Sequence, residues 1–151
     1  MKIKQISLFL ENKPGHVRNA CRILADAGIN IESMSLADTE QFGILRLIVK
    51  DWEQAVSVFE RNGIVVKPTD VVVVRVPNKP GGLADVLGIL DQVKFNIEYV
   101  YEIHSAEKEY SNLVFRFNDP ETAVQVLQQN GVPLVGANEL FEETQESGNR
   151  K

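Results

Sequence analysis

Apolar and polar positions along the first part of the chain predict the order strand, helix, strand, strand, helix, strand. Apolar side chains occupy every second position from Ile6 to Leu10, as in a half-buried strand. Val17, Ala20, Cys21 and Leu24 follow at the spacing of one helix face. The strands predicted here are 6–10, 31–36, 43–50 and 64–66, with helices beginning near Val17 and after Asp51 and a polar turn at Thr39-Glu40-Gln41.

The same pattern occurs twice. Residues 12–15, NKPG, recur at 78–81, and residues 30–32, NIE, recur at 96–98, so both matches share an offset of 66. Matches farther along the chain have an offset of 68, and Asn62-Gly63, which recurs as Asn130-Gly131, is one of them. Such a repeat predicts two units made by duplication. We predict the first unit at 1–68, the second at 69–136 and a polar C-terminal tail at 137–151.

The βαββαβ order of each unit predicts an α+β fold with two ferredoxin-like units in tandem. In this fold an antiparallel four-stranded sheet carries both helices on one face. In the second unit, strands are predicted at 71–76, 97–103 and 113–117, and Asp119-Pro120-Glu121 is a typical helix start. Because residues 71–74 are apolar on both faces, we expect the other unit or another chain to cover part of the second sheet face or an edge.

The repeated NKPG turn is a candidate binding element. It leads from a strand into a helix N-terminus, where unfilled N–H groups and the helix dipole favour a carboxylate or a phosphate. Gly15, Gly81 and Gly82 would let a ligand approach the backbone closely. The same residues are also consistent with turn chemistry alone.

The repeated asparagine at the start of the second strand is the other candidate. The side chains of Asn30 and Asn96 each offer one acceptor and two donors, which suits the ammonium and carboxylate groups of a free amino acid. We expect the end of the first strand and the start of the second strand to lie at the same end of the sheet. The turn and the asparagine of one unit would then converge on one small zwitterion.

Two segments resemble a known family. Residues 8–15, LFLENKPG, and 28–33, GINIES, are similar to the ACT domain, in particular to the first ACT domain of the acetolactate synthase regulatory subunit. The resemblance extends as two tandem units to about Gly136. It implies a non-catalytic regulatory protein, a dimer or other homo-oligomer, that binds a free amino acid at the interface between two ACT units.

The resemblance also implies a set of ligand contacts from the glycine turn and from the start of the second strand. At His16 and Gly82 the chain departs from the alanine that is common in the regulatory subunit, so the two sites need not be equivalent. Ser33 is matched by Tyr99, which could fill or line the second site. The implied contacts are Asn12, Gly15, His16, Val17, Asn30, Ile31, Asn78, Gly81, Gly82, Leu83, Asn96 and Ile97.

Composition excludes several other classes of protein. The 151 residues carry a net charge of −5, which disfavours binding to nucleic acid or to an anionic membrane. No apolar run approaches the ~20 residues of a membrane span. A single cysteine allows no internal disulfide, which favours the reducing cytoplasm. The RNA-recognition fold shares the strand order but needs exposed aromatic residues on strands one and three, and residues 71–74 provide none.

The sequence contains no constellation that indicates catalysis. Two histidines and one cysteine lack the spacing of a zinc site, and no P-loop or nucleophile motif occurs. We therefore expect no catalytic residue, no metal and no cofactor. The alternative to an amino-acid sensor is a dissociable regulatory subunit of an amino-acid biosynthetic enzyme, acting mainly through protein–protein contact.

Overall fold

Within residues 1–38 and 41–148, which the computed structural model describes, seven strands and five helices alternate along the chain. Contacts divide it into an N-terminal unit, Lys4–Thr69, and a C-terminal unit that contains Met1–Ile3 and the residues from Asp70 onward. The elements are β1 Ile3–Glu11, α1 His16–Asp26, β2 Ser33–Asp38, β3 Phe42–Ile48, α2 Trp52–Arg61, β4 Val66–Pro77, α3 Gly82–Asp91, β5 Ile97–Ile103, β6 Tyr110–Phe117, α4 Pro120–Gln129, β7 Leu134–Val135 and α5 Ala137–Gly148.

In the N-terminal unit, β3 lies between β1 and β2 and is antiparallel to both. Leu45 of β3 faces Leu8 of β1 on one side and Leu36 of β2 on the other. Both helices pack on one face of this sheet. The core between them contains Ile6, Leu8, Leu10, Ala20, Leu24, Leu45, Leu47, Val49, Ala55, Val58 and Phe59.

The C-terminal unit repeats this arrangement with the strand order β5-β6-β4-β7. Its register pairs Val74 with Leu113 of β6 and with Leu134 of β7. The core between sheet and helices contains Val72, Val74, Val76, Val86, Leu90, Phe115, Phe117, Ala123, Leu127 and Leu134. The α+β fold with antiparallel sheets and helices on one face is thereby confirmed.

The predicted helix starts are confirmed in atomic detail. The Asp51 carboxylate accepts a hydrogen bond from the N–H of Gln54 at 3.2 Å, and the Asp119 carboxylate accepts one from the N–H of Thr122 at 3.2 Å. Pro120 occupies the first turn of α4, where its missing N–H costs no helical bond. Each carboxylate accepts a hydrogen bond from a backbone N–H group that has no partner within its helix. The two helices therefore begin at the residues that the sequence indicates.

The join between the two units differs from the sequence prediction. Strands were expected separately at 64–66 and 71–76, with a break near Pro68, but β4 runs without interruption from Val66 to Pro77. Lys67 and Pro68 are exposed, and proline is compatible with extended backbone near the start of a strand, where its missing N–H removes no sheet hydrogen bond. Of the turn predicted at residues 39–41, positions 39 and 40 lie outside the described residues.

The C-terminal segment, which the sequence predicts as a polar tail, forms helix α5 from Ala137 to Gly148. Leu140 of α5 is fully buried, and Arg75 and Asn112 form hydrogen bonds to Glu143 of the same helix. Arg75 and Asn112 face each other in the register, on the sheet face opposite α3 and α4. Part of the face that we expected the other unit or another chain to cover is therefore covered by α5. In the described ranges no helix combines the length and the apolar character that crossing a membrane requires.

Candidate functional site

A turn of the same geometry joins the first strand to the first helix in both units. Gly15 and Gly81 each have φ 86°, a left-handed conformation that glycine adopts without strain. The N–H of Asn19 donates to the carbonyl of Gly15 at 2.9 Å, and the N–H of Asp85 donates to that of Gly81 at 2.9 Å. Among the described side chains none caps either helix start. The N–H of His16 donates to the carbonyl of Lys13 at 3.3 Å and that of Gly82 to the carbonyl of Lys79 at 3.0 Å, so an anionic ligand would be bound by the later N–H groups of the first turn.

A cleft opens beside this turn in each unit, and equivalent positions line both clefts. Its volume is about 260 Å³ in the N-terminal unit and about 220 Å³ in the C-terminal unit. Each cleft lies between the end of the first strand, the first turn of the first helix and the corner that follows the second helix. The equivalent lining residues are Phe9 and Arg75, Glu11 and Pro77, His16 and Gly82, Asn19 and Asp85, Gly63 and Gly131, Ile64 and Val132, and Val65 and Pro133.

The two clefts differ in charge. Glu11 at the rim of the N-terminal cleft lies 2.7 Å from the ammonium of Lys13, and this hydrogen bond lowers the pKa of the Glu11 carboxyl and raises the pKa of Lys13. Pro77 occupies the position of Glu11 in the C-terminal cleft, which is lined instead by Lys79 and Asp85. The N-terminal cleft therefore has a carboxylate, that of Glu11, at the end of its first strand, and the C-terminal cleft has none at the equivalent position.

The clefts also differ in shape, because helix and strand approach more closely in the C-terminal unit. A Cβ atom built on Gly82 would overlap the backbone carbonyl of Pro77. The equivalent residue of the N-terminal unit, His16, carries a full side chain at this position. The glycine thus allows the start of α3 to pack directly on the end of β4.

Asn30, which lies three residues before β2, is at the opposite end of the sheet from the turn. The register pairs Glu11 with Phe42, and it pairs Ser33 with Ile48. The end of β1 and the start of β2 therefore meet opposite ends of β3. The expectation that the turn and Asn30 converge within one unit is wrong, because β1 and β2 are both antiparallel to β3 and hence parallel to each other.

The C-terminal unit has the same geometry. Pro77, beside the turn, pairs with Tyr110, whereas Ile97 at the start of β5 pairs with Phe117 at the other end of β6. Tyr99, the counterpart of Ser33, lies on β5 and stacks on Tyr101 with ring centroids 6.3 Å apart. It therefore does not line the cleft beside the turn.

All four predicted asparagines are exposed and take part in hydrogen bonds within their own unit. The N–H of Asn12 donates to the carbonyl of Gln41 at 3.1 Å, and the Asn30 side chain donates to the Glu32 carboxylate at 3.0 Å. In the C-terminal unit, the N–H of Asn78 donates to the carbonyl of Glu109 at 2.8 Å, and the N–H of Asn96 donates to the side-chain oxygen of Asn118 at 3.3 Å. These bonds order the loops on which the asparagines lie.

The apolar residues of the predicted site are mostly parts of the cores. Val17 and Ile31 pack against the N-terminal core, and Ile97 packs against the C-terminal core. Leu83, the counterpart of Val17, is 38% exposed at the start of α3. Of this apolar group, only Leu83 offers a large exposed surface close to a turn.

Sequence reasoning missed part of the cleft lining. Asn19 and Asp85 lie one helical turn beyond the glycines, and the corners after α2 and α4 supply residues 63–65 and 131–133. The Asn-Gly pair at these corners was visible in the sequence but served only as evidence for the repeat. Within the described residues, no group of three or more His, Cys, Asp or Glu side chains is placed to hold a metal ion.

The family of the chain follows from a direct comparison. A family model described as an ACT domain pair matches residues 1–143. The chain therefore belongs to the ACT domain family, as the resemblance of its turns and strand starts implies. No curated protein sequence matches the chain.

Two solved structures with the same fold illustrate different levels of sequence identity to this chain. Protein BT0572 from Bacteroides thetaiotaomicron is 38% identical with a TM-score of 0.87, over 93% of this chain and 96% of that one. The regulatory subunit of aspartate kinase from Thermus thermophilus, in a ligand-free form, is 16% identical with a TM-score of 0.59, over 83% of this chain and 90% of that one. The similarity to the aspartate kinase subunit shows a common fold and nothing more, because the sequence identity is only 16%.

Proposed function

We propose that this ACT pair is a non-catalytic regulatory or sensor protein that binds a free amino acid. One observation carries the proposal, namely that the same uncapped glycine turn borders an equivalent cleft in both units. N–H groups at a helix start suit the carboxylate of an amino acid. Asp85 in the C-terminal cleft provides a counter-charge for its ammonium group, whereas Glu11 in the N-terminal cleft already pairs with Lys13.

The proposed contacts include both the turns and the strand-opening asparagines. The resemblance to other ACT domains implies that a ligand site lies where two ACT units meet, so that one unit supplies the turn and another supplies the asparagine. The opposite placement of these elements within each unit is consistent with such a division. Ligand binding would transmit a signal by its different affinity for two arrangements of the units.

Calorimetric titration of the full chain with each proteinogenic amino acid tests the proposal. We expect one chemical class of amino acid to bind in the micromolar to millimolar range and to raise the melting temperature, since a ligand of the native state stabilises it. If no amino acid binds at millimolar concentration, the sensor function is wrong. Pull-down of an enzyme whose activity does not respond to amino acids would favour the subunit hypothesis instead.

Two sets of alanine variants locate the site. Asn19→Ala and Asp85→Ala remove polar groups from the clefts, and Asn30→Ala and Asn96→Ala remove the strand-opening amides. Each change is expected to weaken binding by about 1–2 kcal/mol, as a lost hydrogen bond to a charged group, with little change in melting temperature. Asn138→Ala, an exposed asparagine of α5, is the matched control and should bind normally. If only the cleft variants, Asn19→Ala and Asp85→Ala, weaken amino-acid binding, the ligand lies within a single unit.

A further inference from the structure

Helix α5 is connected along the chain to the wall of the C-terminal cleft. Gly131, Val132 and Pro133 line this cleft, and the chain continues from them through β7 and Gly136 into the helix. Pairing of β7 with β4 fixes the direction of this short connection. The N–H of Leu140 donates to the carbonyl of Gly136 at 3.0 Å, so the helix begins directly after β7.

Arg75 provides a second connection between the cleft and the helix. The residue lines the cleft, and its N–H donates to the carbonyl of Pro133 in the cleft wall at 2.9 Å. Its guanidinium binds two carboxylates of α5, that of Glu139 at 3.1 Å and that of Glu143. A movement of α5 away from the sheet would therefore disturb the same residue that holds the cleft wall in place.

The helix is attached to the sheet through few side chains. Between positions 137 and 146, the buried side chains of α5 are those of Leu140, Glu143 and Thr144. Leu140 is the apolar member of this group and is fully buried, so it supplies most of the hydrophobic attachment. Shortening its side chain is therefore expected to loosen the helix while leaving Arg75 and the cleft lining unchanged.

The N-terminal cleft continues into a different element. Its corner, residues 63–65, is followed directly by β4, which runs from Val66 to Pro77. Phe9, the equivalent of Arg75, has an apolar side chain that cannot form ion pairs with a helix. The connection between cleft wall and helix therefore belongs to the C-terminal cleft.

We propose that α5 reports the occupancy of the C-terminal cleft, because a ligand in the cleft stabilises the docked position of the helix. This inference rests on the proposed function, in which the cleft binds an amino acid. A ligand that contacts Arg75 and residues 131–133 in their present arrangement binds the docked state better than a state in which the helix has left the sheet. Coupling between two sites is reciprocal, so loosening α5 weakens ligand binding by the same factor.

Hydrogen exchange measured by NMR tests the connection without a ligand. Leu140→Ala is expected to speed exchange of the Arg75 N–H at least about 10-fold, because the acceptor of this N–H is the Pro133 carbonyl in the cleft wall. The N–H of Ala123, which donates to the carbonyl of Asp119 at 3.1 Å in α4, is the internal control and should exchange as in the wild type. If both N–H groups exchange faster by the same factor, or if neither does, the helix is not coupled to the cleft wall.

Glu143→Gln weakens the attachment in a second way. It removes the charge that Arg75 binds and keeps the shape of the side chain. The same selective exchange at the Arg75 N–H is expected, and this variant decides the question if circular dichroism shows that Leu140→Ala does not fold. Asn138→Ala, at an exposed position of α5, is the matched control and should exchange like the wild type.

Calorimetric titration separates this inference from the proposed function. Each proteinogenic amino acid is titrated into the wild type and into Leu140→Ala. Where binding depends on Asp85, in the C-terminal cleft, Leu140→Ala should lower the affinity at least about 5-fold, the lower end of allosteric couplings. Binding that depends on Asn19, in the N-terminal cleft, should not change.

The possible failures differ from one another. If no amino acid binds the wild type, the proposed function is wrong and this inference is wrong with it. If an amino acid binds through Asn19 alone, the C-terminal cleft has no ligand for α5 to report. If an amino acid binds through Asp85 and Leu140→Ala binds it equally well, the proposed function holds and only the coupling to α5 is wrong.

Discussion

Arg75→Met is expected to destabilise the C-terminal unit by about 3–5 kcal/mol, because it leaves a nearly buried carboxylate without its partner. The side chains of Arg75 and Glu143 are only 13% and 11% exposed, and the guanidinium binds the carboxylate directly. Arg75 also contacts Asn112 at 3.3 Å and Glu139 at 3.1 Å. Asn112, which is fully buried, donates to the second oxygen of Glu143 at 2.8 Å.

Urea denaturation followed by circular dichroism measures this effect. Lys2→Met removes a surface ion pair with Glu121, whose side chains are 37% and 75% exposed, and should cost far less stability than Arg75→Met, because solvent screens an exposed pair. The double variant Arg75→Met/Glu143→Leu should recover most of the loss, because apolar groups of similar volume can replace a buried ion pair without penalty. A single Arg75→Met variant as stable as Lys2→Met would show that α5 does not depend on the buried pair.

Gly82→Ala is expected to destabilise the protein by about 3 kcal/mol, at the upper end of the range for overpacking. The added methyl group would overlap the carbonyl of Pro77, which is backbone and cannot rotate away. Helix α3 would have to move from the end of β4, and the C-terminal cleft beside it would change shape. The affinity of this cleft for the amino acid that we propose as its ligand should therefore fall along with stability.

Gly88→Ala provides the matched control in the same helix. No atom lies within 4 Å of a Cβ built on Gly88, so alanine adds no clash there. The replacement should stabilise the protein by about 0.5–1 kcal/mol, since alanine favours the helix over the unfolded chain. If both variants had equal stability in thermal unfolding, the close contact between α3 and β4 would not exist in solution.

The fold was largely predictable from the repeat. Two matches at one offset identified the duplication, and the capping residues Asp51 and Asp119 located helix starts because their side chains act within a few residues. The continuous β4 was not predictable, since Pro68 and Asp70 are turn formers that extended backbone also accepts. Helix α5 escaped prediction because its anchor, Glu143, depends on a partner 68 residues away.

The candidate site was predictable in part. The glycine turns were found because φ 86° requires glycine and the requirement shows in the sequence twice. The prediction that Asn30 lies beside the turn was wrong because it took the wrong relative direction for β1 and β2. The order of the elements already determines that direction, since two strands that flank a common antiparallel neighbour run parallel to each other. The cleft walls at Asn19 and Asp85 needed coordinates, because only packing decides which face of a helix borders an opening.

Strand β4 has a consequence for the evolution of the chain. The copied segments are still recognisable one after the other, yet the boundary between Thr69 and Asp70 falls inside a twelve-residue strand. Recombination that exchanged one half would have to cut through ordered backbone, where a register error turns every following side chain to the wrong face. The two repeats are therefore joined through one continuous strand, and a crossover between them is expected to be tolerated only where it preserves the register of β4.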